Sequence, residues 1–162
     1  MVRCFDNQEV LRIRPEQVVR LASSLLHFNN IETDEVSFYF VDDVTISGLH
    51  DRFFRDPSPT DCISVPIDSP EERSEYHILG EIFICTTVTL AYARTHNLSP
   101  YEELSLYMVH GILHLIGYED ELPEQKKIMR QEEIGCMNYL CRNGLLLDNH
   151  GYTTHNTETG SC

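Results

Sequence analysis

The chain has 162 residues, 41% of them hydrophobic, enough for one domain with its own core. No apolar run approaches the roughly 18 residues of a membrane span, and the start Met1-Val2-Arg3-Cys4-Phe5-Asp6 lacks the apolar stretch of a secretory signal. A soluble, cytoplasmic protein without a membrane partner is therefore expected. The formal charge of −14 counts against tight, non-specific binding of long nucleic acid unless arginines or a metal ion concentrate positive charge in one cleft.

In chain order, residues 2–13 read as a first strand. Pro15 then opens a helix to about residue 28, whose apolar face is Val18, Val19, Leu21, Ala22, Leu25 and Leu26. Asn29-Asn30 ends it. Residues 35–41 are β-branched and aromatic and predict a strand. Asp42-Asp43 caps a short helix through Phe53 or Phe54, and the prolines after Arg55 mark a loop. Cys62 to Val65 is a short strand ending at Pro66, and 68–76 is a polar, acidic surface loop. Ile78 to Cys85 reads as a buried strand, and Thr86 or Thr87 as the cap of a helix to about His96. Ser99, Pro100 and Glu102 form a strong helix start with a capping box. That helix runs to Gly117, a left-handed C-cap. Pro123 begins a last helix ending near Gly144, with Gly135 inside it. From Asn149 the chain is polar, carries His150 and His155, and reads as a mobile tail of 149–162 behind a domain of 1–148. The six cysteines include no C-x-x-C pair and are expected as reduced thiols.

The most informative stretch is His110-Gly111-Ile112-Leu113-His114-Leu115-Ile116-Gly117-Tyr118-Glu119-Asp120. Residues four apart share one helical face, so both imidazoles can reach one ion, and the turn after Gly117 can bring Asp120 back as a third ligand. Three protein ligands leave one coordination position open, the pattern of a catalytic rather than a structural zinc site. Zinc peptidases with His-Glu-x-x-His place their general base directly after the first histidine. Here that position is Gly111, which argues against peptide hydrolysis. Glu119 reads as a solvated turn residue. His50 and His77 read as polar surface residues, or as partners behind the ligands.

This stretch resembles the H-G-x-L-H-L-x-G-Y-D-H signature of the YbeY family, bacterial metal-dependent endoribonucleases of rRNA maturation. His110, Gly111, Leu113, His114, Leu115, Gly117 and Tyr118 match. Arg55 with Thr60-Asp61, Ser64 and Pro66 resembles a further family segment, as do Gly80-Glu81-Ile82-Phe83-Ile84 and Met129 with Glu132-Glu133. Two positions depart: Glu119 replaces Asp, and Asp120 replaces the third histidine ligand.

The resemblance implies a single α+β domain with a small, mostly parallel four-stranded sheet. It implies a single-strand endoribonuclease of late rRNA maturation, including the 16S 3′ end, and of ribosome quality control. Its implied ligands are His110, His114 and Asp120. Its implied catalytic and substrate-binding residue is Arg55, with Arg52 three residues earlier joining it on one side if the helix continues. Guanidinium grips phosphate bidentately and can stabilise the charge that develops in phosphoryl chemistry. The expected cofactor is one Zn²⁺ per chain. The extra negative charge of Asp120 leaves the ion and its ligands at a formal +1 and shifts preference toward harder ions, Mn²⁺ or Mg²⁺. Expected partners are rRNA and, given the acidity, basic ribosomal proteins or the small ribosomal subunit. The alternatives are another metal-dependent hydrolase and a non-enzymatic ribosome-assembly factor whose metal is structural.

Overall fold

The computed structural model describes residues 1–72 and 75–149. The elements run β1 (Val2–Asn7), α1 (Pro15–Phe28), β2 (Glu35–Val41), α2 (Asp43–Phe54), β3 (Cys62–Pro66), β4 (Ile78–Cys85), α3 (Thr86–His96), α4 (Pro100–Leu115) and α5 (Pro123–Arg142). The strands form one sheet in the order β1-β2-β4-β3. β1 with β2 and β2 with β4 are parallel, and β3 is antiparallel to β4. This is the mostly parallel α+β domain that the resemblance implies.

Some local expectations change. β1 stops at Asn7 because the Gln8 side chain captures the backbone: its Oε1 accepts from the N–H groups of Val10 and Leu11, and its Nε2 donates to the Leu11 carbonyl. The resulting turn removes residues 8–13 from the ladder. At α3 the N-cap is Cys85, without a side-chain cap bond. Thr86 is buried instead, where its hydroxyl donates to the Val41 carbonyl and approaches Gln8. Ser99 does cap α4, accepting from the Glu102 N–H. Cys4, Cys62, Cys85 and Cys136 are free thiols, as expected. Asn149 is tied down by Arg14 and Tyr101; the remainder of the expected tail lies outside the described residues. Among the described residues no helix is long and apolar enough to cross a membrane.

Two layers of side chains cover the sheet. On one face Phe38, Phe40, Ile82 and Ile84 pack with Leu21 and Leu25 of α1, Met108 and Ile112 of α4, and Met129 and Leu140 of α5. On the other, Val41, Ile63 and Cys85 pack with Ile46 of α2. α4 is the most enclosed helix: Leu104, Ser105, Met108, Val109, Gly111, Ile112, Leu113 and Leu115 are all buried. A helix that is apolar around most of its circumference belongs inside the fold. Beyond the first residues, Pro100, Tyr101 and Glu102, the stripe of Glu103, Leu106, Tyr107, His110 and His114 stays partly open.

Gly111 is where α4 comes closest to the sheet. A Cβ built there meets Ile82 Cγ2 at 2.6 Å, and the Gly111 carbonyl accepts from the Ser64 hydroxyl of β3. Ile82 is fully buried and has nowhere to move. Gly111→Ala is therefore expected to lower unfolding stability by about 1–3 kcal/mol, the usual cost of overpacking. Chemical denaturation checks this; an unchanged midpoint would contradict the close approach.

Candidate metal centre

Burial of the other faces of α4 sets its rotation, and that rotation turns His110 and His114 toward a cleft. The helix closes in a Schellman turn. The Tyr118 N–H donates to the Leu113 carbonyl and the Gly117 N–H to the His114 carbonyl, with Gly117 at φ +98°. A residue with a Cβ is strained at that dihedral. The turn reverses the chain, with two consequences for chemistry. It brings the Tyr118 carbonyl 2.9 Å from His114 Nδ1, and it returns Asp120 to the mouth of the histidine pair. Asp120 carboxylate oxygens lie 3.7 Å from His114 Nε2 and 4.0 Å from His110 Nε2.

α5 supplies the other support. Glu133 Oε1 lies 2.7 Å from His110 Nδ1. Each imidazole thus has an acceptor on Nδ1, which places a proton there and aims Nε2 into the cleft. The two Nε2 atoms stand 2.9 Å apart. Two lone pairs at that distance repel unless a cation or a proton lies between them.

The charge states agree with this picture. Burial pushes His110 down, but the hydrogen bond and charge of Glu133, with the charges of Asp120 and Asp61, outweigh it, and its pKa rises above the usual imidazole value. His114 is lowered, first by burial and then by the charge of His110. A proton on His110 Nε2 donated to a neutral His114 Nε2 satisfies both shifts. A divalent ion can replace that proton. Imidazole and carboxylate are suitable donors for it, and the three ligand atoms lie within 4.8 Å of one another. This group can hold a metal ion. Cys62 also lines the cleft, but burial and Asp61 push its thiol up to about 12, so it remains protonated.

The cleft measures about 530 Å³, and its walls include His50, Phe54, Ser64, His110, His114 and Asp120. A second hollow of about 560 Å³ meets it at His110 and includes Asp61, Tyr92, Tyr107, Arg130 and Glu133. The two arginines of the sequence reading are placed differently from the ligands. α2 ends at Phe54, and Arg55 is its C-cap in the left-handed region, at φ 62°. The helix does not continue through Arg55, so Arg52 and Arg55 do not share one helical face. Both are exposed, and the cleft wall is formed by their neighbours His50 and Phe54. His77 is buried, held by the Thr33 hydroxyl and the Ser69 carbonyl, so it is a structural residue rather than a surface one. His50 meets the Ser58 carbonyl through Nδ1. Glu119 is exposed and accepts from Gln125 Nε2, consistent with a turn residue. Glu133 carries a role that no spacing announced, since a partner 23 residues away on another helix leaves no periodic signal, whereas the Tyr118 carbonyl belongs to the local turn four residues from His114.

The sequence pattern of the family described as Endoribonuclease YbeY matches residues 4–140. A Protochlamydia amoebophila protein named Endoribonuclease YbeY is 52% identical over 140 residues, covering 86% of this chain and 93% of its own. Relatives of the same name in Chlamydia abortus and Chlamydia trachomatis are 41% and 36% identical, over 80% and 88% of this chain and 85% and 89% of theirs. A Thermotoga maritima protein solved in solution shares the fold with a TM-score of 0.56 at 21% identity, covering 94% of this chain and 100% of its own.

Replacing Glu133 with Gln removes the strongest influence holding His110 up. In metal-free protein the His110 pKa is expected to fall, while the fold persists. Imidazole NMR titration reads this directly, and an unmoved His110 titration would show that Glu133 does not control it. The sign for stability follows. A raised folded-state pKa stabilises the metal-free protein below the ordinary imidazole value, and this is lost as pH rises through the raised value. Glu133→Gln should flatten that dependence.

Proposed function

The chain belongs to the YbeY endoribonuclease family, and from that premise we propose that it cleaves single-stranded RNA in late rRNA maturation, including the 16S 3′ end, and in ribosome quality control. The observation that carries this reading is the convergence of two imidazole Nε2 atoms and the Asp120 carboxylate in one cleft. Residues 1–148 form the metallohydrolase domain, working in the cytoplasm on rRNA in the setting of the small ribosomal subunit. With the chain at −14, basic ribosomal proteins are its protein partners.

His110, His114 and Asp120 hold the ion. Zinc suits the imidazoles, while the added carboxylate charge shifts preference toward Mn²⁺ or Mg²⁺. A bound divalent ion supplies Lewis acidity to a phosphate oxygen or a water. Glu133 and the Tyr118 carbonyl keep both Nε2 atoms aimed inward. Arg55, with Arg52 near it in sequence, grips the phosphate through its guanidinium and offsets the charge that builds there. Both arginines are exposed, which leaves them free to swing to a bound strand. The attacking oxygen is water or the RNA 2′-hydroxyl, and cyclic-phosphate ends identify the second.

Position 111 disfavours peptidase chemistry on physical grounds. A side chain there runs into Ile82, so no base can stand after the first histidine. A second reading, a non-enzymatic assembly factor with a structural metal, draws support from the acidic surface. His114→Ala separates the two. Under the nuclease reading, rRNA cleavage falls by more than the roughly 10- to 100-fold typical of losing an outer-shell partner. Under the structural reading, only metal content and melting temperature fall.

Two further outcomes are expected. Arg55→Gln should lower kcat/KM by roughly 10- to 150-fold, the equivalent of about 1.5–3 kcal/mol for a charge-assisted bond, with metal content intact. After chelation and competitive reloading, Asp120→His should gain zinc selectivity over Mn²⁺. Equal selectivity in both proteins would remove Asp120 from the ligand set.

A further inference from the structure

Both lysines of the chain, Lys126 and Lys127, stand together near the start of α5, and Arg130 follows one turn later. The chain has 26 acidic and 12 basic residues, so carboxylates for pairing are plentiful. Yet among the described residues none of these three side chains enters an ion pair or a hydrogen bond. All three are exposed. Together they line a groove of about 460 Å³ that also includes Glu121, Gln131 and Ile134.

The groove runs into the metal centre. Lys126, Arg130 and Glu133 fall at i, i+4 and i+7, a single stripe on α5. At 1.5 Å per residue the stripe spans about 10 Å. Its far end is anchored where Glu133 meets His110. Arg130 lines both the basic groove and the hollow that holds Tyr92, Tyr107 and His110. His110 in turn lines the cleft of His114 and Asp120. The surface is continuous from the cations to the histidine pair, with a shared residue at each junction.

An acidic protein that handles a polyanion has to gather its positive potential in one place. Lysine contributes a mobile point charge, and arginine a planar fork matched to phosphate oxygens. The first turns of α5 add the positive end of a helix dipole. Tyr92, 44% exposed, offers a ring on which a base can stack. We propose that Lys126 and Arg130, with Lys127 on the wall, form a phosphate-binding subsite that seats the single-stranded RNA backbone beside the centre and sets the direction in which the strand enters it. This rests on the nuclease reading above.

Salt dependence tests it. Binding of a short single-stranded 2′-O-methyl oligoribonucleotide is measured against salt concentration for the metal-loaded wild type, Lys126→Gln/Arg130→Gln and Arg12→Gln/Arg142→Gln. The last variant loses the same charge from exposed positions outside the groove. Each phosphate contact on a single strand contributes about 0.7 to the slope of log affinity against log salt. The groove variant should therefore flatten the slope by about 1.4 and bind about 25-fold more weakly at ~0.1 M salt. The control variant should keep the wild-type slope. Circular dichroism and metal content confirm that both variants are folded and loaded. A wild-type slope in the groove variant, or equal flattening in the control, overturns the subsite while leaving wild-type rRNA cleavage, and with it the nuclease reading, standing. A loaded wild type that neither binds nor cuts single-stranded RNA overturns both.

Discussion

The packing of α4 against the sheet is the constraint on which the candidate site depends. Its apolar residues face β3, β4 and the neighbouring helices, so the helix has one admissible rotation. Gly111 tightens that constraint, because the absence of a Cβ lets the helix settle onto Ile82. Once the rotation is set, His110 and His114 have no choice of direction. An imidazole pair held by a buried helix keeps its geometry without an ion, an arrangement that would favour binding over reorganisation.

Two smaller devices finish the site. The Schellman turn closes α4 and also presents the Tyr118 carbonyl to His114 and returns Asp120 to the cleft. One backbone motif thus satisfies helix-end carbonyls, sets a tautomer and delivers a carboxylate. Glu133 does for His110 what the turn does for His114, from a different helix. The opposite pKa directions of the two imidazoles follow from this asymmetry: a carboxylate stands behind one ring and a neutral carbonyl behind the other. An ion bound by the two Nε2 atoms displaces any proton shared between them, so ion binding and proton release are linked.

The charge distribution reconciles an acidic chain with a polyanionic substrate. Net charge reports the whole surface, whereas binding responds to the local field in a cleft. The carboxylates of Asp120, Glu133 and Asp61 surround the histidines and suit an ion. The unpaired cations of α5 lie along the approach. On the reading proposed above, the carboxylates beside the histidines would take the metal and Lys126 and Arg130 the phosphate chain.

Much of this is legible in the residues themselves. Helix and strand limits follow from periodicity and from local stops such as Pro15, Pro66, Pro100 and Gly117, whose effects act within a few residues. The i, i+4 histidines and the glycine before Asp120 announce a metal-ligand cluster for the same reason: helix geometry and a left-handed turn are local. The early end of β1 was hidden because it depends on where one side chain, that of Gln8, hydrogen-bonds. The burial of His77, the partnership of Glu133 with His110 and the groove joining Lys126 to the histidines were hidden for a different reason. Each joins residues far apart in the chain, through distances that only packing sets. Sequence by itself determined the elements and the candidate ligand types; tertiary structure decided which distant side chains stand behind the two histidines and where Arg55 sits, because those contacts arise between elements rather than within them.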